Sequence, residues 1–328
     1  MTVAEPDAPA RHVSVMAAEV TAALAPRDGG CYVDGTFGAG GHTRALLAAA
    51  RCRVFGIDRD PGAVALGAVL ARCFAGRLTV LQGLYGDMDR LVGGQGVDRV
   101  DGVALDVGVS SMQLDDLDRG FSFRGQGRLN MRMGDDGRTA AEVVNEFPEA
   151  ELARIIRTFG EEPAARRIAA AIVKARPIAT TDALAGVIRS VVGRHGAGID
   201  PATRTFQAIR IVVNDELDEL DRGLAAAETL LAPGGRLAVI SFHSLEDRRV
   251  KDFLRQRSGG EPGPSRHAMP LAEGRPPSFR LLWRGAAKSS PGEIAANPRA
   301  RSARLRAAER TTAPAWGPVA ASSVGGRR

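Results

Sequence analysis

The segment Asp34-Gly35-Thr36-Phe37-Gly38-Ala39-Gly40-Gly41-His42 sets a carboxylate ahead of a run of glycines. Between a strand and a helix, such glycines let the backbone approach a ligand closely and expose helix N-terminal N–H groups to it. The acid is followed by glycines at +4 and +6, Gly38 and Gly40. The dinucleotide fingerprint Gly-x-Gly-x-x-Gly would need a glycine at 43, and Thr43 stands there. Alone the turn is a weak signal, because a tight structural turn has the same composition.

Its neighbours strengthen it. Asp58 ends the next β-branched run, 18 residues beyond Gly40. Open α/β folds place a carboxylate there on a ribose diol, and its two oxygens can take both hydroxyl protons. The other reading of Asp58 is a helix cap within Asp58-Arg59-Asp60-Pro61, a role that Asp60 can also fill. Asp34, Asp58 and Asp106 all fall at the carboxyl edge of the predicted sheet, where ligands bind. Gly83-Leu84-Tyr85 and Ser241-Phe242-His243-Ser244 reach the same edge. Tyr85 either stacks on an adenine or packs partly into the core. His243 is either a general base or a satisfied structural histidine, and His42 starts a helix.

The elements that must position these residues alternate short apolar runs with helical stretches, the pattern of a parallel sheet. Strands are predicted at Cys31–Val33, Arg53–Ile57, Leu78–Leu81 and Val103–Leu105, with helices over 43–50 and from Pro61 to about Cys73. The rhythm breaks at 112–205, where no buried strand is found and helices are predicted near 149–158, 164–175 and 182–192. Pro163 opens the second of these and Thr181 caps the third. One helix over 206–231 then stops at Pro233-Gly234-Gly235 and leads to a strand at Arg236–Ser241 and a helix from Leu245 to about Arg257. Residues 259–277 read as a mobile loop, and Phe279–Trp283 with Ala303–Ala307 as a final strand pair. The predicted organisation is 1–111 as the N-terminal part of a sheet domain, 112–205 as a helical insertion, 206–310 as the rest of the sheet domain, and 311–328 as a disordered tail; residues 1–10 are frayed.

Composition narrows the partners. The 328 residues are 44% hydrophobic and 25% charged, with no run able to span a bilayer and no secretory start, which predicts a cytoplasmic protein. Cys31, Cys52 and Cys73 are too scattered for a metal knuckle or disulfide framework and read as reduced thiols. From Arg255 onward there are 14 Lys and Arg against 4 Asp and Glu, whereas the preceding residues hold 30 against 34. A near-neutral body with a basic C-terminal quarter fits a polyanionic partner. A compositional bias toward arginine explains the scarcity of lysine, confined to 174, 251 and 288, but not this clustering.

Several longer segments are similar to one family. Besides the glycine turn they are Gly56-Ile57-Asp58-Arg59-Asp60-Pro61, Leu105-Asp106-Val107-Gly108-Val109-Ser110-Ser111, Gln113-Leu114-Asp115 and Arg119-Gly120-Phe121-Ser122-Phe123. Thr203-Arg204-Thr205-Phe206-Gln207-Ala208, Ser241-Phe242-His243-Ser244-Leu245-Glu246-Asp247-Arg248 and Asn297-Pro298-Arg299-Ala300-Arg301-Ser302 complete the set. Together they resemble the bacterial RsmH (MraW) family of 16S ribosomal RNA cytosine-N4 methyltransferases, from about His12 to Arg310. The resemblance implies an α/β class I methyltransferase fold: a Rossmann-like, mostly parallel seven-stranded sheet with a helical insertion domain. It implies S-adenosylmethionine as donor, no metal, and as partner the 16S rRNA of the small ribosomal subunit, with a decoding-region cytidine as acceptor. The family's cofactor residues fall on Gly40, Gly41, His42, Asp58, Tyr85, Asp106 and Gln113; the family commonly has Phe where Tyr85 stands.

Methylating the delocalised exocyclic amine of cytosine calls for in-line placement and an acceptor for the N4 proton. Many amino-methyltransferases use an Asn/Asp-Pro-Pro-aromatic turn after strand four; here that place reads Asp106-Val107-Gly108-Val109. Asp106 is the first catalytic candidate, with His243 or a backbone carbonyl as the others. In the insertion, Arg119, Arg124, Arg128, Arg132 and Arg138 with Phe121 and Phe123 either contact and stack on an extruded base or pack onto their own domain behind a solvated rim. Two other function classes share these features. A nicotinamide-dependent oxidoreductase would use the same sheet and ribose acid, against the Thr43 mismatch. A non-catalytic ribosome-binding assembly factor would keep RNA affinity without methyl transfer.

Overall fold

A computed structural model of the chain describes residues 14–123, 125–193, 200–260 and 275–317. The predicted frayed start at 1–10, most of the predicted loop at 259–277, Arg124 and the tail from 318 lie outside the described residues. The chain forms two compact units, one of residues 1–58, 62–107 and 221–328, the other of 59–61 and 108–220.

The first unit holds the sheet. Its strands are β1 (Cys31–Asp34), β2 (Arg53–Asp58), β3 (Leu78–Gln82), β4 (Val100–Asp106), β5 (Leu231–Ser241), β6 (Phe279–Leu281), β7 (Ala287–Lys288) and β8 (Arg304–Arg310). The hydrogen-bonded order is β3-β2-β1-β4-β5-β8-β6, with β7 attached to β8. The first five strands are parallel and β8 runs antiparallel between β5 and β6. A seven-strand path with one reversed strand in this position is the class I methyltransferase fold, with β7 as a two-residue addition. Short runs such as Val54-Phe55-Gly56-Ile57 are buried throughout because a parallel sheet is covered on both faces. The helices α1 (Ala17–Leu24) and α2 (Gly41–Ala49) bring Val20, Leu24, Leu46 and Leu47 onto Tyr32, Val54, Ala238 and Leu305. Helices α3 (Pro61–Ala71) and α4 (Met88–Gly93) connect the next strands, and Pro61 opens α3 as predicted.

Phe37, inside the glycine turn, explains three glycines at once. Its ring is buried, and a β-carbon at Gly56 would collide with it, as would one at Gly40 or Gly67, each 2.9 Å away. Gly40 also has φ +77°, which favours glycine. The turn is therefore clamped from below by an aromatic side chain rather than left as a flexible loop.

The helices of the second unit are α5 (Ser111–Asp115), α6 (Ala140–Glu146), α7 (Glu149–Gly160), α8 (Ala165–Ala175), α9 (Thr181–Val192) and α10 (Ala202–Asn214). Its only β contact among the described residues is an isolated bridge between Arg128 and Thr180. Leu152, Ile156, Ile168, Ile172, Leu184, Ile188, Phe206 and Ile209 form its core at helical spacing. Thr180 occupies the N-cap position of α9, one residue before the predicted Thr181, whose hydroxyl donates instead to Gly125 O at 2.9 Å.

Three further expectations are corrected. The helix predicted over 206–231 is two, α10 and α11 (Glu216–Leu230), because Asp215 turns left-handed at φ +54°. Asn214 holds the break, its side chain donating to Met131 O at 2.7 Å and accepting from Met133 N at 2.8 Å. The strand predicted at Arg236–Ser241 starts earlier, at Leu231, which already pairs with Val100 before the register shifts to Gly102 with Arg236. The remaining helices α12 (Ser244–Arg257) and α13 (Pro291–Ala296) flank the C-terminal strands.

The third correction concerns the predicted disordered tail, since residues 311–317 are held in place. Glu228, wholly buried, takes the Trp316 N–H at 3.1 Å, the Ser278 hydroxyl and the buried Arg257 at 3.5 Å. Arg257 also donates to Gly317 O at 3.3 Å and lies 5.3 Å over the Trp316 ring. Arg310 donates to Ala313 O at 2.8 Å. A chain ending after Pro314 strips this buried carboxylate of one donor, at a cost of about 1–3 kcal/mol. Calorimetry is expected to show a melting temperature lower by a few degrees.

Candidate functional site

The carboxyl ends of β1, β2 and β4 deliver Asp34, Asp58 and Asp106 to one edge, side by side in the order β2-β1-β4. Their tasks differ. Asp34 is wholly buried; its Oδ2 accepts the Thr43 backbone N–H at 3.1 Å and the Thr43 hydroxyl at 2.8 Å, and its Oδ1 the Thr36 N–H at 3.4 Å. It thereby ties the strand end to the first turn of α2. Burial pushes its pKa up, opposed by His42 and by the Thr43 and Thr36 donors. Thr43, the residue that breaks the dinucleotide fingerprint, is thus the structural partner of Asp34. Thr43→Val removes the hydroxyl but keeps the backbone donor, so a loss of about 1 kcal/mol is expected in a denaturant titration.

Asp58 Oδ2 accepts the Gly38 N–H at 2.7 Å. Gly38 itself sits at φ +51°. The carboxylate therefore holds the glycine turn in its left-handed bend. Asp60 lies buried in the helical unit, accepts from Gln113 Nε2 at 3.1 Å and pairs with Arg119 at 3.0 Å.

Asp106 meets a residue that spacing does not reveal. His42 Nε2 lies 3.3 Å from Asp106 Oδ2. The imidazole is only 5% exposed. Burial pulls the His42 pKa down, but the Asp106 hydrogen bond and charge, with Asp34 behind them, outweigh it and raise the pKa above the ordinary histidine value. His42 Nδ1 and Asp106 Oδ1 are both buried and find no hydrogen-bond partner among the described residues. Asp106 N–H donates to the Thr36 hydroxyl at 2.7 Å, which fixes the strand end beneath the pair.

The other predicted residues are placed as follows. Tyr85 opens a short 3-10 turn after β3, and its ring fills the space over Gly223 of α11, where a β-carbon would collide with it. Gly41 lies against Ser14, with no room for a side chain. His243 caps α12: its Nδ1 accepts the Glu246 N–H at 3.3 Å, and Nε2 lies 3.0 Å from Glu246 Oε1. Glu246 Oε2 in turn accepts from Phe242 N at 2.8 Å and His243 N at 3.2 Å, completing a reciprocal cap. Despite its closeness to Glu246 Oε1, His243 Nε2 is buried and makes no hydrogen bond among the described residues. Gln113, in the helical unit, forms its own reciprocal cap with Ser110 at 2.9 and 3.2 Å, besides its bond to Asp60.

The aromatic residues of the insertion are packed inward. Phe121 is 8% exposed, and Phe123 meets Phe206 edge-on at 5.0 Å. Arg119 donates to Arg132 O and Met133 O, Arg132 to Asp135 O, and Arg138 lies 4.7 Å over Phe147. These groups build the loop they belong to.

His42 Nδ1 and Asp106 Oδ1 thus stand as buried, unsatisfied polar atoms at the carboxyl edge of the sheet. The model of the MraW methylase family matches residues 9–311. The ribosomal RNA small subunit methyltransferase H of Paramagnetospirillum magneticum is 61% identical over 313 residues, 94% of this chain and 98% of that protein. The enzyme of the same name from Rhodospirillum centenum is 62% identical over 312 residues, 94% and 95% of the two chains. That from Rhodospirillum rubrum is 55% identical over 325 residues, 97% and 98%. The chain belongs to the MraW methylase family, among relatives named as small-subunit ribosomal RNA methyltransferases.

Proposed function

We propose that this protein methylates the N4 amine of a decoding-region cytidine in 16S rRNA, within the small ribosomal subunit, using S-adenosylmethionine as the methyl donor. The observation that carries the reading is the pair of buried, unpartnered atoms, His42 Nδ1 and Asp106 Oδ1, beside a clamped glycine turn. Buried polar groups in native proteins are nearly always paired, so a bound molecule is the natural partner for both.

The residues present fit S-adenosylmethionine. The backbone of Gly40, Gly41 and His42 would face its charged amino-acid end, Asp58 its ribose diol and Tyr85 its adenine. Gln113 joins the set by resemblance to the family. When bound, the molecule supplies a methyl group on a positively charged sulfur. Asp106 Oδ1 would take the proton that N4 loses as N4 bonds to the methyl carbon and the carbon–sulfur bond breaks, and His42 would orient Asp106 beforehand. His243 is assigned to capping rather than proton transfer, since its accepting nitrogen already holds Glu246 N–H.

The helical unit would contribute RNA contacts of its own. Arg154, Arg157, Arg166 and Arg167 line one groove between α7 and α8, a surface suited to phosphate. The deciding experiment supplies labelled S-adenosylmethionine to small subunits from cells lacking the endogenous enzyme and maps the modified nucleotide. Label on N4 of one decoding-region cytidine is the expected result; no incorporation into subunits or free rRNA would overturn the proposal.

A further inference from the structure

The Asn297-Pro298-Arg299-Ala300-Arg301-Ser302 segment has no task in the site described above, yet it is tightly built. It forms a 3-10 turn with Pro298 at the first position and the Asn297 side chain accepting the Arg299 N–H at 3.2 Å. Asn297 O accepts from Ala300 N at 2.9 Å, and Ala300 O from Ala303 N at 3.1 Å. Ala300 and Ala303 are buried at 0% and 2%, whereas Arg299, Arg301 and Arg304 are exposed. Two small side chains nail the turn down so that its long cationic ones face solvent.

Strand register says where they face. Antiparallel β8 starts where parallel β5 ends, so Arg304 pairs with Ser241, and one position earlier on β5 Ile240 pairs with Asp106 of β4. Arg304 is therefore on the same carboxyl edge as Asp106, two strand steps away, about 10 Å at ordinary strand spacing. On its other side Arg304 pairs with Lys288 of β7, which is exposed as well.

Beside Arg304 a single carboxylate serves two arginines. Asp247 forms a bidentate pair with Arg306 at 2.8 and 3.1 Å and is 3.8 Å from Arg304. Glu293 accepts the Met16 N–H at 2.6 Å. The excess positive charge of the C-terminal quarter is thus concentrated partly on one rigid ledge beside the acid edge.

We propose that Lys288, Arg299, Arg301 and Arg304 form a phosphate-binding ledge that grips the substrate RNA backbone next to the nucleotide presented to Asp106. This deepens the ribosomal RNA reading and rests on it. Arginine suits the task because its planar donor fork matches phosphate oxygens and stays charged at any working pH. The ledge recognises backbone and sets position; it carries no base preference.

The test is a triple variant, Arg299→Ala, Arg301→Ala and Arg304→Ala, beside a second in which all three become lysine. Affinity for small subunits from cells lacking the endogenous enzyme is measured across a salt series, with S-adenosylmethionine affinity and melting temperature read in parallel. The alanine variant is expected to bind subunits about tenfold or more weakly at low salt, with the slope of log K against log salt smaller by about 2–3. The lysine variant should recover most of the slope, and donor affinity and melting temperature should match wild type. Unchanged subunit affinity and slope would overturn the ledge, as would a loss confined to donor binding or melting temperature. Wild-type protein that binds subunits with the full slope but transfers no methyl group would instead overturn the reaction while leaving the ledge in place.

Discussion

Asp106→Asn is expected to fold normally and to lose methyl transfer by about 10²–10⁴-fold, the usual worth of a positioned proton acceptor. The change is nearly isosteric, and the backbone anchor survives because the Asp106 N–H donates to the Thr36 hydroxyl whatever the side chain. What disappears is the carboxylate. An amide offers one weaker acceptor and cannot take a proton from N4 at neutral pH. The resemblance also implies donor binding at this residue, so the rate is measured in single turnovers at saturating S-adenosylmethionine. A rate restored at saturation would show that Asp106 only binds.

The same variant has a pH signature. His42 in the wild type has a raised pKa, first opposed by burial and then lifted by Asp106 and Asp34. A raised histidine adds stability that is fully present below its unfolded value, about 6.5, and lost as pH rises through the folded value. Asp106→Asn removes the nearest anion, so the decline of melting temperature across that window should shrink. An unchanged profile would mean that His42 does not feel Asp106.

Much of this edge was legible in the sequence because strand ends are. A β-branched run followed by an acid places that acid at a carboxyl edge, and Asp34, Asp58 and Asp106 all stand there. Division of labour among the three was not legible, since it depends on which donors fold back. Thr43 reads as a mismatch to a fingerprint, and only the folded turn shows it bonded twice to Asp34. The His42–Asp106 contact joins residues 64 apart with no shared pattern. In the sequence His243 reads only as a general base or a satisfied structural histidine, and the structure makes it the cap of α12, three residues before Glu246.

The insertion shows why aromatic and arginine residues mislead. Phe121 and Phe123 between glycines and arginines have the composition of a stacking platform, yet Phe123 packs on Phe206, more than 80 positions away. Arginine is ambiguous for the same reason that it is useful: Arg119 satisfies backbone carbonyls as readily as it would phosphate. Likewise the helix break at Asn214-Asp215 is imposed by Met131 and Met133, which local propensity cannot register.

Asp58→Ala is expected to weaken S-adenosylmethionine binding by up to about 100-fold, through two losses that can be separated. The first is the ribose diol, whose hydroxyl protons lose their acceptor at about 1–3 kcal/mol. The second is the Gly38 N–H, left without the carboxylate that holds its left-handed bend. Asp58→Asn keeps an oxygen for Gly38 but gives up the charge and one acceptor, so an intermediate loss of about tenfold is expected. A donor analogue lacking both ribose hydroxyls separates the terms in a double-mutant cycle. It should bind wild type more weakly than the natural donor does, and that difference should vanish in Asp58→Ala. If the analogue's penalty is the same in both proteins, Asp58 shapes the turn and does not touch the ribose. Heat stabilisation of the wild type by S-adenosylmethionine and not by a nicotinamide nucleotide would then still separate a methyl-donor site from a dinucleotide one. That distinction follows from Thr43, whose side chain is committed to Asp34 at the position where the dinucleotide turn requires none.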